Sequence, residues 1–388
     1  VLVLGGGFAG LAAVRELARR RVEGPFRIRL IDRSPANVFW PLLPDVVSRR
    51  VRGQSLCFPL APECRSLGVE FTRADVREVH PEEGRVETSA GTFHGDFVIL
   101  CLGCDTAYFG NEKLRAAVPG LKSVREGRLV RRSALELLKD GPEPAHVVVV
   151  GGGYTGFETA SHVAFLMART ADCTYQALRE RCRIMVLEKG GEVLHNCSPS
   201  VRRWGTALVE RFGVEVRTGV TIEGPPEEGV LRLTDGSVLR RARAVWTAGV
   251  RPGPAAADID VPHTQGGRLA VDPYLRLPGT ERCFAAGDVV GPRPGDTEEP
   301  LRMSVQFSIA GGQMAARNVV RAATDRDLLE FDPFDPGYIL PLAPGESAGV
   351  VMGVHLKGRL PSLLHYSLCV GRSFGFEKRF AVLRDLLG

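Results

Sequence analysis

Two glycine-rich segments hold the residues whose types and spacing suit chemistry. Val1-Leu-Val-Leu-Gly5-Gly-Gly7-Phe-Ala-Gly10 recurs as Val147-Val-Val-Val-Gly151-Gly-Gly153-Tyr-Thr-Gly156. In each copy a GxGxxG follows an apolar β-like run and opens a helix-like segment. Each then reaches a second strand ending in an acid, Ile28-Arg-Leu-Ile-Asp32 and Ile184-Met-Val-Leu-Glu188. A lone GxGxxG is weak evidence, but in this setting it is a dinucleotide fingerprint. The first glycine allows the tight turn, the second lets backbone approach a pyrophosphate, and the third lets helix and strand pack closely. The pyrophosphate then rests on the helix N-terminus, and Asp32 and Glu188 are expected to accept hydrogen bonds from ribose hydroxyls. Two such sites in one chain suit hydride transfer from a nicotinamide to a flavin. Composition does not say which site holds which group.

The elements that must position these residues repeat as well. Arg85-Val-Glu-Thr turns at Ala90-Gly91, and Leu231-Arg-Leu-Thr turns at Asp235-Gly236, both hairpin signals. Each half closes on a strand and a glycine, Phe97 to Gly103 and Ala244 to Gly249. The separation of Gly5 from Gly103 equals that of Gly151 from Gly249. The halves differ around Met167 to Arg181, where the second carries extra residues that predict a longer helix and a loop. Downstream come Cys283-Phe-Ala-Ala-Gly287-Asp288, a Pro/Gly-rich loop from Gly291 to Pro300, and a helix from Val305 to Arg321. A linker at Phe331-Asp-Pro-Phe-Asp-Pro leads to a short β segment and a helical C-terminus.

At 388 residues, with about 150 per domain, two to three domains are expected. Hydrophobic residues at 44% and charged residues at 24% exclude a largely disordered chain. The net charge of +5 is spread without a dense basic block, so nucleic acid is not an expected partner. No uncharged apolar run is long enough to predict a membrane-crossing helix. Val1 to Val14 is uncharged, but it lacks a basic start and is broken by glycines, against a signal peptide. The chain opens in a β-like run without Met, so a few residues are expected before Val1. The nine cysteines are odd in number and irregularly spaced, which argues against a disulfide framework and for a reducing cytoplasm. The CxxC pair Cys101 and Cys104 ends an apolar run and reads as core. No metal site is assigned.

These residues resemble the two-dinucleotide-domain flavoproteins, and most specifically the type II NADH dehydrogenase family. The pieces that carry the resemblance are Gly5-Gly-Gly-Phe-Ala-Gly-Leu-Ala-Ala, Phe39-Trp-Pro-Leu-Leu-Pro-Asp, Tyr108-Phe-Gly110, Gly151-Gly-Gly-Tyr-Thr-Gly-Phe-Glu158, Thr247-Ala-Gly-Val-Arg-Pro252 and Ala286-Gly-Asp288. The resemblance implies non-covalent FAD at the first fingerprint (Gly5, Gly7, Gly10, Asp32, with Gly287 and Asp288). It implies NADH, with NADPH as a second donor, at the other (Gly151, Gly153, Gly156, Glu188). It implies catalytic places for Glu158, where nicotinamide meets flavin, and for Gln306, at the start of a helix aimed at the flavin, with a quinone as acceptor. The family's Ala-Gln-x-Ala-x-Gln reads Val305-Gln306-Phe307-Ser308-Ile309-Ala310 here, so the second Gln is Ala310. The familiar proline of the second fingerprint is Tyr154.

The expected fold is α/β with two Rossmann-like domains in a glutathione-reductase-like arrangement. Residues 1–115 and 253–331 form the FAD domain, 116–252 the NAD(P)H domain, and 332–388 a membrane-surface or dimer segment. In that segment Phe376, Phe380, Leu383 and Leu387 fall on one helical face, with Glu377, Lys378, Arg384 and Asp385 to the other side. Such a stripe suits either a peripheral place on the inner face of the cell membrane or packing on a second copy. Two other functions fit the two fingerprints: a sulfide:quinone oxidoreductase and a non-catalytic redox sensor. The first needs cysteines flanking the flavin, yet none lies between Cys104 and Cys173.

Overall fold

The structure, a computed structural model, describes residues 1–24, 26–139, 143–264, 266–293, 300–343 and 345–387. Residues 294–299 of the Pro/Gly-rich loop therefore lie outside the described residues. The chain forms two compact units, Val1–Asn37 with Phe58–Asp105 and Val250–Phe334, and Val38–Cys57 with Thr106–Gly249 and Asp335–Gly388. The architecture is α/β, as expected.

The first unit is organised by a parallel sheet in the spatial order Cys283–Ala285, Val98–Leu100, Leu2–Leu4, Arg29–Asp32, Glu70–Arg73. Leu2, Val3 and Leu4 are all buried, the continuous apolar run that a parallel strand covered on both faces requires. The first fingerprint turns from this strand into the helix Phe8–Arg19. A second helix, Val305–Ala323, crosses it backbone to backbone: a Cβ at Gly312 would stand 2.0 Å from the Ala9 carbonyl oxygen. The hairpin read at Ala90-Gly91 forms, with Arg85–Thr88 paired to Gly91–His94 and joined by Val76–His80.

The second unit repeats the plan. Its parallel sheet runs Val214–Thr218, Cys182–Glu188, Ala145–Val150, Ala242–Trp246. That is the order of four of the first unit's five strands, so the sequence repeat is a topological one. The helix after the second fingerprint extends from Tyr154 to Thr170, and a short helix Tyr175–Arg181 completes the insertion. Leu231–Arg232 pairs with Val238–Leu239 around Gly236, whose φ is +85°.

The C-terminal part of this unit is more regular than its sequence suggests. Gly337–Leu342, Glu346–Val351 and Val354–Gly358 form an antiparallel sheet, followed by the helices Arg359–Arg372 and Phe376–Leu387. Asp385, on the side of the last helix opposite Phe376 and Phe380, has a buried side chain, and its Oδ2 accepts hydrogen bonds from the Arg52 N–H at 2.9 Å and the Ser55 hydroxyl at 2.6 Å.

Candidate functional site

The first glycine cradle is built by contact, not by composition. Gly5 has φ +98°, and a Cβ there would lie 2.3 Å from the Cys101 carbonyl oxygen. A Cβ on Gly10 would lie 1.8 Å from the Gly5 carbonyl oxygen, so helix and strand touch through hydrogens alone. Gly7, between them, faces open space, with no atom within 4 Å of its would-be Cβ. Asp32 closes the turn: Oδ2 accepts the Gly6 N–H and Oδ1 accepts the Ser34 N–H at 2.6 Å. Burial raises the Asp32 carboxyl above its ordinary range, and these two N–H groups oppose that shift.

The second cradle matches the first closely. Gly151 has φ +113°, and its Cβ would meet the Thr247 carbonyl group at 2.6 Å. A Cβ on Gly156 would lie 1.9 Å from the Gly151 carbonyl oxygen, and Gly153 faces open space. Glu188 takes the place of Asp32, with Oε2 on the Gly152 N–H and Oε1 on the Gly190 N–H, both at 2.8 Å. Each carboxylate oxygen spends one lone pair on the protein and keeps capacity for a hydroxyl donor.

The residues around the first cradle include two buried polar atoms with no partner among the described residues. Asn37 donates to the Gly6 carbonyl oxygen at 3.0 Å, leaving its own Oδ1 without a donor. Arg268 donates to the Leu301 carbonyl oxygen at 2.8 Å, and its Nε is without an acceptor. Arg268 lines one small cavity with Gly287, Asp288 and Ser304. Orphaned buried polar atoms beside an open glycine cradle fit a polar ligand that supplies the missing partners. Gly287 packs on the same helix as the fingerprint, its would-be Cβ 2.9 Å from that of Ala9. Asp288 accepts from Ser308 at 3.3 Å. Gln306 is the second residue of the helix Val305–Ala323, which Ser304 caps by accepting the Phe307 N–H. Gly5, Gly7, Gly10, Asp32, Gly287, Asp288 and Gln306 thus fall in one unit, and Gly151, Gly153, Gly156, Glu158 and Glu188 in the other.

The paired cysteines belong to this scaffold. All nine cysteines are free thiols. Cys101 sits beneath Gly10, and burial pushes its thiol up to about 12; Cys104 donates to the Asp288 carbonyl oxygen at 3.2 Å. Tyr154 packs edge-on against Tyr338, with ring centroids 5.8 Å apart.

Sequence reasoning missed a buried polar network in the second unit. Burial raises the Glu158 carboxyl well above the usual carboxylate range, and the charge of Asp45 adds to the shift. One turn on, His162 is fully buried, and burial holds its pKa well below the ordinary histidine value. The Ser48 hydroxyl lies 2.8 Å from His162 Nδ1, and Asp45 Oδ2 lies 3.9 Å from Nε2. Tyr366 donates to Asp45 at 3.1 Å and accepts from Arg50 at 2.6 Å. Burial moves Asp45 up to about 6, against the opposing charge of Arg50. The only available signals were Asp45 in the Phe39 to Asp45 motif and His162 at i+4 from Glu158. Tyr366 and Arg268 carried none.

Comparison with known proteins agrees with this geometry. The sequence profile described as pyridine nucleotide-disulphide oxidoreductase matches residues 1–315. The chain belongs to the pyridine nucleotide-disulphide oxidoreductase family. Among relatives of this oxidoreductase, the type II NADH:quinone oxidoreductase of Staphylococcus saprophyticus is 25% identical over 92% of this chain and 91% of its own. The fold is that of the NDH2 of Plasmodium falciparum solved in complex with NADH, at TM-score 0.86 and 14% identity, covering 100% of this chain and 97% of that one. The sulfide:quinone oxidoreductase of Aquifex aeolicus shares the fold at TM-score 0.78 and 15% identity, over 98% of this chain and 91% of that one. The resemblance to type II NADH dehydrogenases therefore extends over nearly the whole chain. Flavin and nicotinamide nucleotide are the cofactor classes that go with this family and its NADH-bound neighbour.

Proposed function

We propose that the protein oxidises NADH through non-covalently bound FAD and delivers two electrons to a quinone. The observation that carries the reading is the pair of matched glycine cradles, each open at its second glycine and closed by a strand-end carboxylate. We assign FAD to the cradle of Gly5, Gly7, Gly10 and Asp32, within a domain of residues 1–115 and 253–331. NADH goes to that of Gly151, Gly153, Gly156 and Glu188, within residues 116–252. The activity of the type II NADH:quinone oxidoreductases that the chain resembles, and the near-complete overlap with them, support the assignment.

Bound FAD supplies a two-electron acceptor for hydride and a donor to quinone. The chain's part is to bind, orient and tune. The N–H groups opening the helices Phe8–Arg19 and Tyr154–Thr170 receive the two pyrophosphates. Asp32 and Glu188 accept ribose hydroxyl protons, while Asn37 and Arg268 offer their unused acceptor and donor to the FAD side. The N-terminus of the Val305–Ala323 helix, with Gln306, favours negative charge by about 0.3–1 kcal/mol. Burial raises the Glu158 carboxyl well above the usual carboxylate range, which favours its protonated, hydrogen-bond-donating form on the NADH side. Glu188 also disfavours a 2′-phosphate, so NADH is preferred over NADPH, with Lys189 softening the preference.

Residues 332–388 place the protein peripherally on the inner face of a membrane in this reading. Support comes from the last helix, which is inverted relative to a soluble one. Phe376, Phe380 and Leu387 are 83%, 62% and 81% exposed, while Asp385 and Val382 face the protein. Leu360, Leu363 and Leu368 are exposed on the preceding helix. No helix among the described residues is long and apolar enough to cross a membrane. A second copy of the chain is the alternative cover. The deciding experiment is steady-state NADH oxidation with quinones, sulfide or oxygen offered separately. Quinone-dependent turnover supports the reading. Flavin bleached by sulfide but not by NADH overturns it.

A further inference from the structure

One wide cleft in the second unit is assigned to neither dinucleotide. It has a volume of about 960 Å³ and is lined by Arg49, Arg125, Arg128, Arg131, Arg132 and Lys139, with Glu136 the single acid among the described residues that line it. Arg125, Arg128 and Arg132 recur on one face of the helix Val124–Glu136 at i, i+3 and i+7. Arg49 reaches the cleft from a left-handed turn, φ 65°, a conformation that a long side chain rarely adopts. Among the described residues only Arg132 has an acidic partner in reach, Glu136 at 3.9 Å. Like charges crowd the rest: burial, then Arg49 and Arg128, lower the pKa of Arg131. So many uncompensated cations around one cleft form a site for an anion.

What lies beside the cleft identifies the anion's source. Gly53 packs so tightly on the basic helix that a Cβ there would stand 2.2 Å from Val124 Cγ1 and 3.5 Å from Arg128 Nη2. The next residue, Gln54, accepts a hydrogen bond from Lys378 Nζ at 3.0 Å, and Lys378 belongs to the helix whose apolar face is exposed. The Cys57 thiol feels both Lys378 and Arg128. Basic cleft and apolar helix are therefore joined through a single turn, charge beside grease, the pattern of a surface that meets headgroup and acyl chain together.

We infer that this cleft binds the phosphate headgroups of anionic phospholipids and confers a preference for negatively charged membranes. The inference rests on the membrane-surface reading of residues 332–388 and adds the lipid class. Each cation at such a surface contributes about fivefold to partitioning, so three contribute about a hundredfold.

The test is co-sedimentation of the intact flavoprotein with phosphatidylglycerol-containing vesicles and with pure phosphatidylcholine vesicles at low salt. Wild type is expected to prefer the anionic vesicles strongly, and added salt to erase the preference. The triple variant Arg125→Gln/Arg128→Gln/Arg132→Gln should lose that preference and keep its residual binding to neutral vesicles. Retained flavin reduction by NADH shows that it folds, and Arg49→Gln/Lys139→Gln is a milder second variant. Equal binding of wild type to both vesicles, or an undiminished preference in both variants, overturns the headgroup site. The membrane reading survives that outcome if Phe376→Ser/Phe380→Ser abolishes binding. Wild type that ignores both vesicles overturns both. Inorganic phosphate that raises the melting temperature of wild type but not of the triple variant, with no vesicle preference, makes the cleft a soluble-anion site and also overturns the inference.

Discussion

The two fingerprints share a backbone and differ in what surrounds it. Both have a left-handed first glycine, a third glycine whose Cβ would stand within 2 Å of the first glycine's carbonyl oxygen, and a carboxylate bridging two N–H groups. The first is flanked by Asn37, Arg268 and Asp288, polar groups with hydrogen-bonding capacity left over. The second continues into a helix whose Glu158 and His162 are pushed towards their neutral forms. On the proposed reading, glycine geometry marks a dinucleotide site, and the side chains around it decide which dinucleotide it takes and what is done with it.

The comparison breaks first at the third glycines. Gly10→Ala and Gly156→Ala each put a methyl inside van der Waals distance of a backbone carbonyl, at a cost of several kcal/mol. Gly10→Ala should yield colourless protein. Gly156→Ala should stay yellow but no longer bleach with NADH. Flavin content and anaerobic reduction of the two variants check this, and identical phenotypes would remove the division of labour.

The buried network sharpens the contrast next. Asp45 is raised from 3.8 to about 6 in the folded protein, so its contribution to stability is present at low pH and is lost as pH rises through about 6. Asp45→Asn removes that loss. Relative to wild type, the variant should gain about 2 kcal/mol between pH 4 and pH 7. Arg50, Tyr366, His162 and Glu158 surround Asp45, so the readout is the change in the difference with pH, not its absolute size. Denaturant unfolding of both proteins across this range measures it, and a difference that does not vary with pH counts against an ionising Asp45.

Much of this was legible beforehand because parallel strands and glycine turns are local signals. Apolar runs such as Val147 to Val150, the turn residues and the strand-end acids located both cradles and the α/β repeat that carries them. The network was not legible, because Asp45, His162 and Tyr366 are far apart in sequence and meet only through packing. Nor was the seating of the last helix: helical spacing identifies an apolar face but not which face the protein takes. There Asp385 turns inward to hydrogen-bond Arg52 and Ser55, while Phe376 and Phe380 stay exposed.

The carboxylates offer a finer probe. Glu188→Gln removes the charge that repels a 2′-phosphate and should raise the NADPH-to-NADH ratio of flavin reduction rates about tenfold, with flavin affinity unchanged. Asp32→Asn should do the reverse, weakening flavin retention without altering nucleotide preference. Stopped-flow reduction with both donors separates the two. Glu158→Gln is the mildest change, since glutamine imitates a protonated glutamic acid. At neutral pH the rate should fall by no more than a few-fold. At high pH, where Glu158 loses its proton and wild type slows, the variant should hold its rate. A pH profile of NADH-driven flavin reduction shows whether the curves diverge in that direction.

The central claim is that one cradle holds FAD and the other receives NADH to reduce it. Anaerobic titration of the purified protein with NADH, following flavin absorbance after the released cofactor has been identified by chromatography, tests it most directly. The account predicts FAD bound one per chain and bleached completely by a single equivalent of NADH. A colourless protein, or a flavin that excess NADH leaves oxidised, would contradict it.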